Sequence, residues 1–375
     1  MKLDLERYLQ ELELLVNIDS GQGNPEGITA VGNFFAERFA AMGWIVEKHD
    51  LRPHTGNCTV VKNREAEHYD VLLIGHVDTV FQTGEVAKRP FRRDETRCYG
   101  VGVIDMKQGC LSMLHILEQL PETVSEKLNI LAIFNPDEEV GSPWSRPILE
   151  HYAAKTDKVF VFEAGGGKGA VTIERKGQTS FQVAIHGRAG HAGYMFTNGS
   201  LSATTEAIHW VNTLAAFHSE ELDTTVNVGV FHAGEKRNIV AETAVVGWDI
   251  RYSRKEVKDQ VEKCIEELTR HAEANGYRVE LQEHKCKAAL IPDQRTWAYV
   301  ERMKAVAERL GKPFSLKKRG GLSDANIMAA CGPVCIDSLG PTGNFDHSDR
   351  EYLEISTIEP FTRYAYELIC DLAEM

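Results

Sequence analysis

Apolar positions along the chain follow two periods in turn. Leu5 to Val16, Gly27 to Met42 and Met106 to Leu120 carry apolar residues at helical spacing and predict amphipathic helices. Gly43 closes the second of these and Pro121 stops the third. Trp44 to His49, Cys58 to Lys62, Val71 to Ile74, Leu128 to Phe134 and Lys158 to Phe162 are short runs that predict strands. Val71 to Ile74 is apolar throughout, as a strand buried on both faces must be. Helix and strand alternating in this way predict an α/β sandwich around a largely parallel sheet.

The pattern changes in the middle of the chain. Ser180 to His186 alternates like a strand, and Ser200 to Phe217 is helical. Thr224 to Phe231 and Ala241 to Tyr252 read as strands, Lys255 to Ala274 as a strongly periodic helix, and Tyr277 to Glu283 as a last strand. The order β-α-β-β-α-β predicts a ferredoxin-like unit, inserted into the first domain. After about Ala289 the first pattern resumes, with helices at Thr296–Leu310, Asp324–Cys331 and Ile355–Leu372 and a strand at Pro333–Ser338. The expected division is therefore one domain from 1–176 and 289–375, and an inserted one from 177–288.

Composition changes this picture little. With 375 residues, 43% hydrophobic and 26% charged, the chain reads as an ordinary globular protein of two domains. A net charge of -13 with no basic run argues against nucleic acid or an anionic membrane as partner. No apolar run approaches the ~20 residues of a membrane span, and Met1 to Arg7 lacks a signal peptide's apolar core. Eight scattered cysteines form no CxxC pair, so a cysteine zinc site is not expected, and a reducing, cytoplasmic location is. Gly165 to Gly169 lacks the spacing of a phosphate loop and reads as a flexible turn.

The candidate chemistry sits just after the buried strands, where α/β sheets gather their sites. Leu72–Gly75 leads to His76 and Asp78, Ile130–Phe134 to Asp137, Glu138 and Glu139, and Val159–Phe162 to Glu163. The strand at Val334 leads through Gly340 to His347, and Asp105 lies in a turn opening the Met106 helix. Each residue alone reads as an ordinary surface or hydrogen-bonded group. Two histidines and three carboxylates at one sheet edge are the donor set of a pair of borderline metal ions. Five side chains give each ion about three ligands only if one carboxylate bridges, and Asp105, beside the other strand ends, is the expected bridge. Glu138 and Glu139 are adjacent, so one can face a metal and the other a water, which suits Glu138 as general base.

His76-x-Asp78, Gly100-x-Gly102-x-x-Asp105, Asp137-Glu138-Glu139, Glu163, Gly187-Arg188-Ala189-Gly190-His191-Ala192-Gly193 and His347 occur in one order along the chain. Together they resemble the zinc-dependent acetylornithine deacetylase / succinyl-diaminopimelate desuccinylase / glutamate carboxypeptidase family, from about Leu12 to Leu372. Phe134 to Glu139 and His347 to Tyr352 are most similar to the glutamate carboxypeptidase branch.

The resemblance implies a di-zinc metallopeptidase. It would hold two Zn2+ per subunit, with Co2+ or Mn2+ as substitutes, and act on a small peptide or an N-acyl amino acid. Released product would be a C-terminal amino acid, with glutamate the first candidate and N-acyl-amino-acid deacylation or dipeptide cleavage the alternative. By the same resemblance Asp105 bridges, His76 and Glu163 complete one ion, and Glu139 and His347 complete the other. Asp78 would hold the His76 ring by its second nitrogen. His191 would reach a neighbouring subunit's site and stabilise the oxyanion, which makes 177–288 a lid and dimerisation domain and the protein a homodimer. Arg251 would grip the substrate carboxylate, with Asn238 and the Gly321 turn lining the pocket. Ile104 and Met106 depart from the branch, which tends to carry a second acid after the bridge. The bond after the bridging acid is often cis in that family, and the sequence leaves the isomer open here.

Overall fold

The computed structural model describes residues 1–375, apart from the side chain of Lys168. The chain forms two compact units: 1–174 with 292–318 and 323–375, and 175–291 with 319–322.

The first unit is built on six strands: β1 (Ile45–Asp50), β2 (Asn57–Lys62), β3 (Tyr69–His76), β4 (Ile130–Asn135), β5 (Thr156–Val161) and, late in the chain, Val334–Ile336. They lie in the order β1-β2-β4-β3-β5, closed by Val334–Ile336. The pairs from β4 through β3 and β5 to Val334–Ile336 are parallel, whereas β1–β2 and β2–β4 are antiparallel. The sheet is thus parallel where the polar strand ends cluster and carries an antiparallel edge. Val71, Leu73, Ile130, Ala132, Phe134 and Phe160 enter one core with the helices Leu5–Val16, Pro25–Ala41, Lys107–Glu118, Gln294–Arg309 and Ile355–Leu372. The intervening Leu72, Ile74, Leu131, Ile133, Val159 and Val161 are equally buried. Both faces are covered, giving the three-layer α/β/α class that continuous apolar strands demand. Phe35 stacks on Phe134 at 4.3 Å, fixing the second helix to the sheet. That helix starts where Asn24 caps the Gly27 N–H and Pro25 opens the first turn. Among the described residues no helix is long and apolar enough to cross a membrane.

The second unit is built on a sheet of four antiparallel strands, β6 (Gly177–His186), β7 (Thr225–Ala233), β8 (Thr243–Tyr252) and β9 (Arg278–Lys287). Their order, β7-β8-β6-β9, is that of a ferredoxin-like sheet. Phe181, Val183, Ile185, Val246, Trp248 and Ile250 point to one face, where Ala203–Ala215 and Lys255–Ala274 supply Trp210, Val261 and Leu268. Phe181 and Trp248 stack at 4.8 Å in that core. The two chain passages into this unit run side by side, with Arg175 and Leu290 exchanging backbone hydrogen bonds of 3.0 Å.

Some local readings of the sequence are corrected. Gly165, read as part of a flexible turn, is a packing position: a Cβ there would meet the Phe361 ring at 2.3 Å and the Gly340 carbonyl at 2.4 Å, whereas one on Gly167 would meet nothing. Absent side chains there let two segments approach, a packing role that composition does not show. The helix Arg146–Ala153 and the ribbon pairing Ala170–Arg175 with Ser315–Arg319 were not visible as periodic patterns. The bond between Asp105 and Met106 is cis.

Candidate metal centre

Parallel pairing sets the strand ends in register: Gly75 of β3 lies opposite Phe134 and His76 opposite Asn135 of β4. Side chains just past these ends therefore project from one edge. His76, 1% exposed, ends β3. Its Nε2 lies 3.0 Å from Asp105 Oδ1 and 3.7 Å from Glu163 Oε1. The other Asp105 oxygen, Oδ2, lies 2.9 Å from His347 Nε2, which is also 3.2 Å from Glu139 Oε2. His76, Glu138 and Glu163 each place a ligand-type atom within 4.8 Å of the other two. The structure thus brings together His76, Asp105, Glu138, Glu139, Glu163 and His347.

Asp78 is fully buried beside them. Its Oδ1 accepts from the Glu138 N–H at 3.2 Å and lies 3.4 Å from His76 Nδ1. Its Oδ2 accepts from the Glu139 N–H at 3.0 Å and from Gln22 Nε2 at 2.7 Å. The Asp78 backbone carbonyl lies 3.0 Å from the same His76 Nδ1, so the residue braces the histidine through main chain and side chain together and the turn of the two glutamates through its carboxylate.

The electrostatics follow from packing acids into little water. Burial pushes the Glu139 carboxyl above its usual range. Burial pushes Asp105 up too, but hydrogen bonds from His347 and His76 prevail and hold it well below that range. Hydrogen bonds to Asp105 and Glu139 raise His347 to about 11. Burial works against the charged form of His76, yet Asp105 and Asp78 still raise its pKa. The carboxylates draw positive charge to themselves, the demand that a bound cation meets. Glu139 Oε1 is buried without a hydrogen-bond partner among the described residues, a costly arrangement unless a cation faces it. Donor types, spacing and this lone oxygen all fit a metal site.

Residues to which the sequence reading gave no role hold the glutamate turn. Asp137 accepts from the Trp144 and Ser145 N–H groups at 2.8 and 3.2 Å. Asn135 donates to Asp324 at 2.6 Å, and the Ser142 hydroxyl donates to the same carboxylate at 2.5 Å. Asp137 carried a signal, its place before Glu138; Asp324 and Gln22 carried none.

The remaining candidates lie in the second unit. His191 is exposed, accepts from the Gly193 N–H at 3.1 Å and packs against Tyr194. Ile239 is its partner across a short ladder, and the backbone carbonyl of the preceding Asn238 accepts from the Ala192 N–H at 3.1 Å. Arg251 donates through Nε and Nη2 to Asp249 at 2.7 and 3.1 Å. The Gly321 carbonyl accepts from Arg175 at 2.9 Å.

A three-layer α/β fold with this donor cluster at its strand ends defines the class, a metal-dependent hydrolase. The profile of peptidase family M20/M25/M40 matches residues 72–371, and the chain belongs to that family of metallopeptidases. It is 32% identical to Carboxypeptidase G2 of Pseudomonas sp. (strain RS-16) over 369 residues, covering 97% of this chain and 89% of that one. It is 23% identical to the succinyl-diaminopimelate desuccinylase of Wolbachia pipientis subsp. Culex pipiens (strain wPip), covering 82% and 81%. Its fold superposes on aminopeptidase PepT of Bacillus cereus ATCC 10987 with a TM-score of 0.78 at 21% identity, over 99% of both chains.

Proposed function

We propose that this metallopeptidase is a di-zinc carboxypeptidase that releases the C-terminal amino acid of a peptide or N-acyl substrate. One observation carries the reading. The two oxygens of Asp105 face different histidines, at 3.0 and 2.9 Å, and each histidine has its own glutamate. Two sites of one nitrogen and two carboxylates, sharing Asp105, leave the open positions of catalytic zinc. His76 and Glu163 would complete one, Glu139 and His347 the other. When bound, such a pair lowers the pKa of a water and polarises the substrate carbonyl.

The chain's own groups do the rest. Glu138 takes a proton from the attacking water on its carboxylate and returns it to the leaving nitrogen. Asp78 holds the Glu138 and Glu139 N–H groups, so the two carboxylates keep separate directions. Arg251 is held by Asp249 through Nε and Nη2, which leaves its Nη1 edge to meet a substrate carboxylate. Asn238 and the Gly321 turn line the same pocket in this reading. His191 stabilises the oxyanion from a partner subunit in a homodimer. Support for a dimer comes from Tyr194, Met195 and Phe196, apolar side chains 65, 43 and 105% exposed, three to five residues beyond His191. Eight free cysteines suit a reducing cytoplasm. Glutamate is the proposed released residue, from the likeness of the Phe134–Glu139 and His347–Tyr352 motifs to the glutamate carboxypeptidase branch. The desuccinylase relative makes N-acyl-amino-acid deacylation the second reading.

The test is amino-acid release from N-acyl amino acids, dipeptides and glutamate conjugates, with zinc and with chelator. Chelator-sensitive release of one C-terminal residue, restored by zinc, is expected. No release from protein shown to hold two zinc ions would overturn the assignment.

A further inference from the structure

Two chain segments supply the facing groups Asp105 and His347, and a small sheet ties them together. Tyr352 pairs with Tyr99 on one side and with Asn344 on the other. Tyr99 leads directly into the Gly100–Asp105 turn, while His347 lies in the loop between Asn344 and Tyr352. That loop is in an unusual conformation, with Phe345 and His347 at φ of 61° and 59°, so something must hold it.

Glu351 sits between the two segments and is 2% exposed. Its Oε1 accepts from the Ile104 N–H at 2.8 Å and the Asp105 N–H at 3.2 Å, and its Oε2 accepts from the Gly102 N–H at 3.2 Å. Three backbone donors of one turn converge on one carboxylate, as in an anion nest. Gly102 makes this convergence feasible, at φ 69° with Thr79 Cγ2 2.6 Å from where a Cβ would lie. Glu351 is four residues from His347, and its own N–H donates to Ser348 O at 3.4 Å. Arg89 donates to the same carbonyl at 3.2 Å.

We propose that Glu351 is the positioning residue of the metal centre, gripping the Gly102–Asp105 backbone so that Asp105 presents one oxygen to His76 and the other to His347. The inference rests on the metal-site reading above. A buried acid that merely satisfied local donors would affect folding alone. Glu351 instead links the backbone of Asp105 to the loop of His347, so its loss misplaces two ligands together. In Glu351→Gln the amide keeps the shape, but its NH2 must face a backbone N–H on one side or the other.

The experiment is competition for zinc ions between the protein and a chromophoric chelator, with thermal melting of the metal-free protein alongside. Glu11→Gln is the control, because Glu11 is an equally well-bonded buried acid, held by Arg7, Arg38 and His115 away from the site. Glu351→Gln is expected to weaken zinc binding by about 10–100-fold, as for other groups that orient ligands, while Glu11→Gln lowers melting alone. If Glu351→Gln does not fold, Glu351→Asp, which keeps the charge but shortens the reach, is read by the same criterion. A loss under about threefold, or one that Glu11→Gln matches, overturns the role of Glu351. Failure of the unsubstituted protein to bind zinc would overturn the metal-site reading itself.

Discussion

Replacing Asp78 with asparagine is the sharpest test of how the centre is held. Asp78 accepts from two backbone N–H groups, Glu138 on Oδ1 and Glu139 on Oδ2, and from Gln22 on Oδ2. An asparagine amide has one acceptor oxygen, so in either orientation its NH2 points at one of those N–H groups. At least one bond to a charged acceptor is lost, about 1.5–3 kcal/mol. The loss falls on groups that the proposal gives to the reaction: first the Glu138–Glu139 turn, then the His76 ring, which is 3.4 Å from Oδ1 and keeps the Asp78 backbone carbonyl at 3.0 Å. Partners of this kind are worth about 10–100-fold in affinity or rate, or about 1.4–2.7 kcal/mol. Asp78→Asn is therefore expected to lose zinc affinity and kcat by that factor, with KM little changed. Zinc competition and steady-state kinetics at saturating zinc separate the two effects. Zinc affinity and kcat within twofold of the unsubstituted protein would show that His76 and the glutamate turn are held without the Asp78 carboxylate.

Glu138→Ala should fold and retain its metal while kcat falls by about 10²–10⁴-fold, the usual weight of a general base; metal lost together with activity would make Glu138 a ligand. Arg251→Ala should raise KM for substrates with a free carboxylate and leave kcat nearly unchanged, and an unaltered KM would remove Arg251 from the pocket. Mixing His191→Ala with Glu138→Ala protein should restore activity if His191 works across a subunit boundary, whereas inert mixtures would place the whole site in one chain. Lys312 tests the packing ledger away from the site. Its Nζ is buried over Phe361 and Tyr364 without a hydrogen-bond partner among the described residues, and burial lowers its pKa from 10.5 to about 8. At pH 7 the charge is penalised in the folded chain. Between pH 8 and 10.5 only the folded form has lost its proton, so stability rises with pH. Lys312→Met should thus be more stable at pH 7 by about 1–2 kcal/mol, after allowing for partial exposure and the two rings. The gain should vanish near pH 11, and equal melting at pH 7 would refute the penalty.

Much of this architecture was legible because buried strands announce themselves. Val71–Ile74 and Ile130–Phe134 have no polar alternation, and a sheet covered on both faces can be read from that. Lys255–Ala274 and Ile355–Leu372 begin and end where their apolar periods do. Strand order was not legible, since nothing local says that β4 lies between β2 and β3. The helix Arg146–Ala153 was hidden by its eight residues and by Pro147, which suits a helix start but interrupts the pattern. At the site, the polar residues after strands stood out by type and position. Their braces did not: Asn135 and Asp324 are 189 residues apart, and Gln22 and Asp78 are 56 apart. Such pairs exist only once the strands are stacked.

These braces resolve a conflict within the site. Asp78, Asp105, Glu138, Glu139 and Glu163 crowd one sheet edge, and like charges in little water oppose folding. Hydrophobic packing supplies no direction to a carboxylate, so geometry must come from donors. The backbone provides them: the Glu138 and Glu139 N–H groups to Asp78, and the Trp144 and Ser145 N–H groups to Asp137. His76 and His347 then supply the remaining nitrogen donors, one facing each oxygen of Asp105. Donors fixed by the fold hold the outer acids, and only the inner set is left for cations to neutralise. That division lets one surface be both built before a metal binds and incomplete until it does, which is what affinity without rearrangement requires.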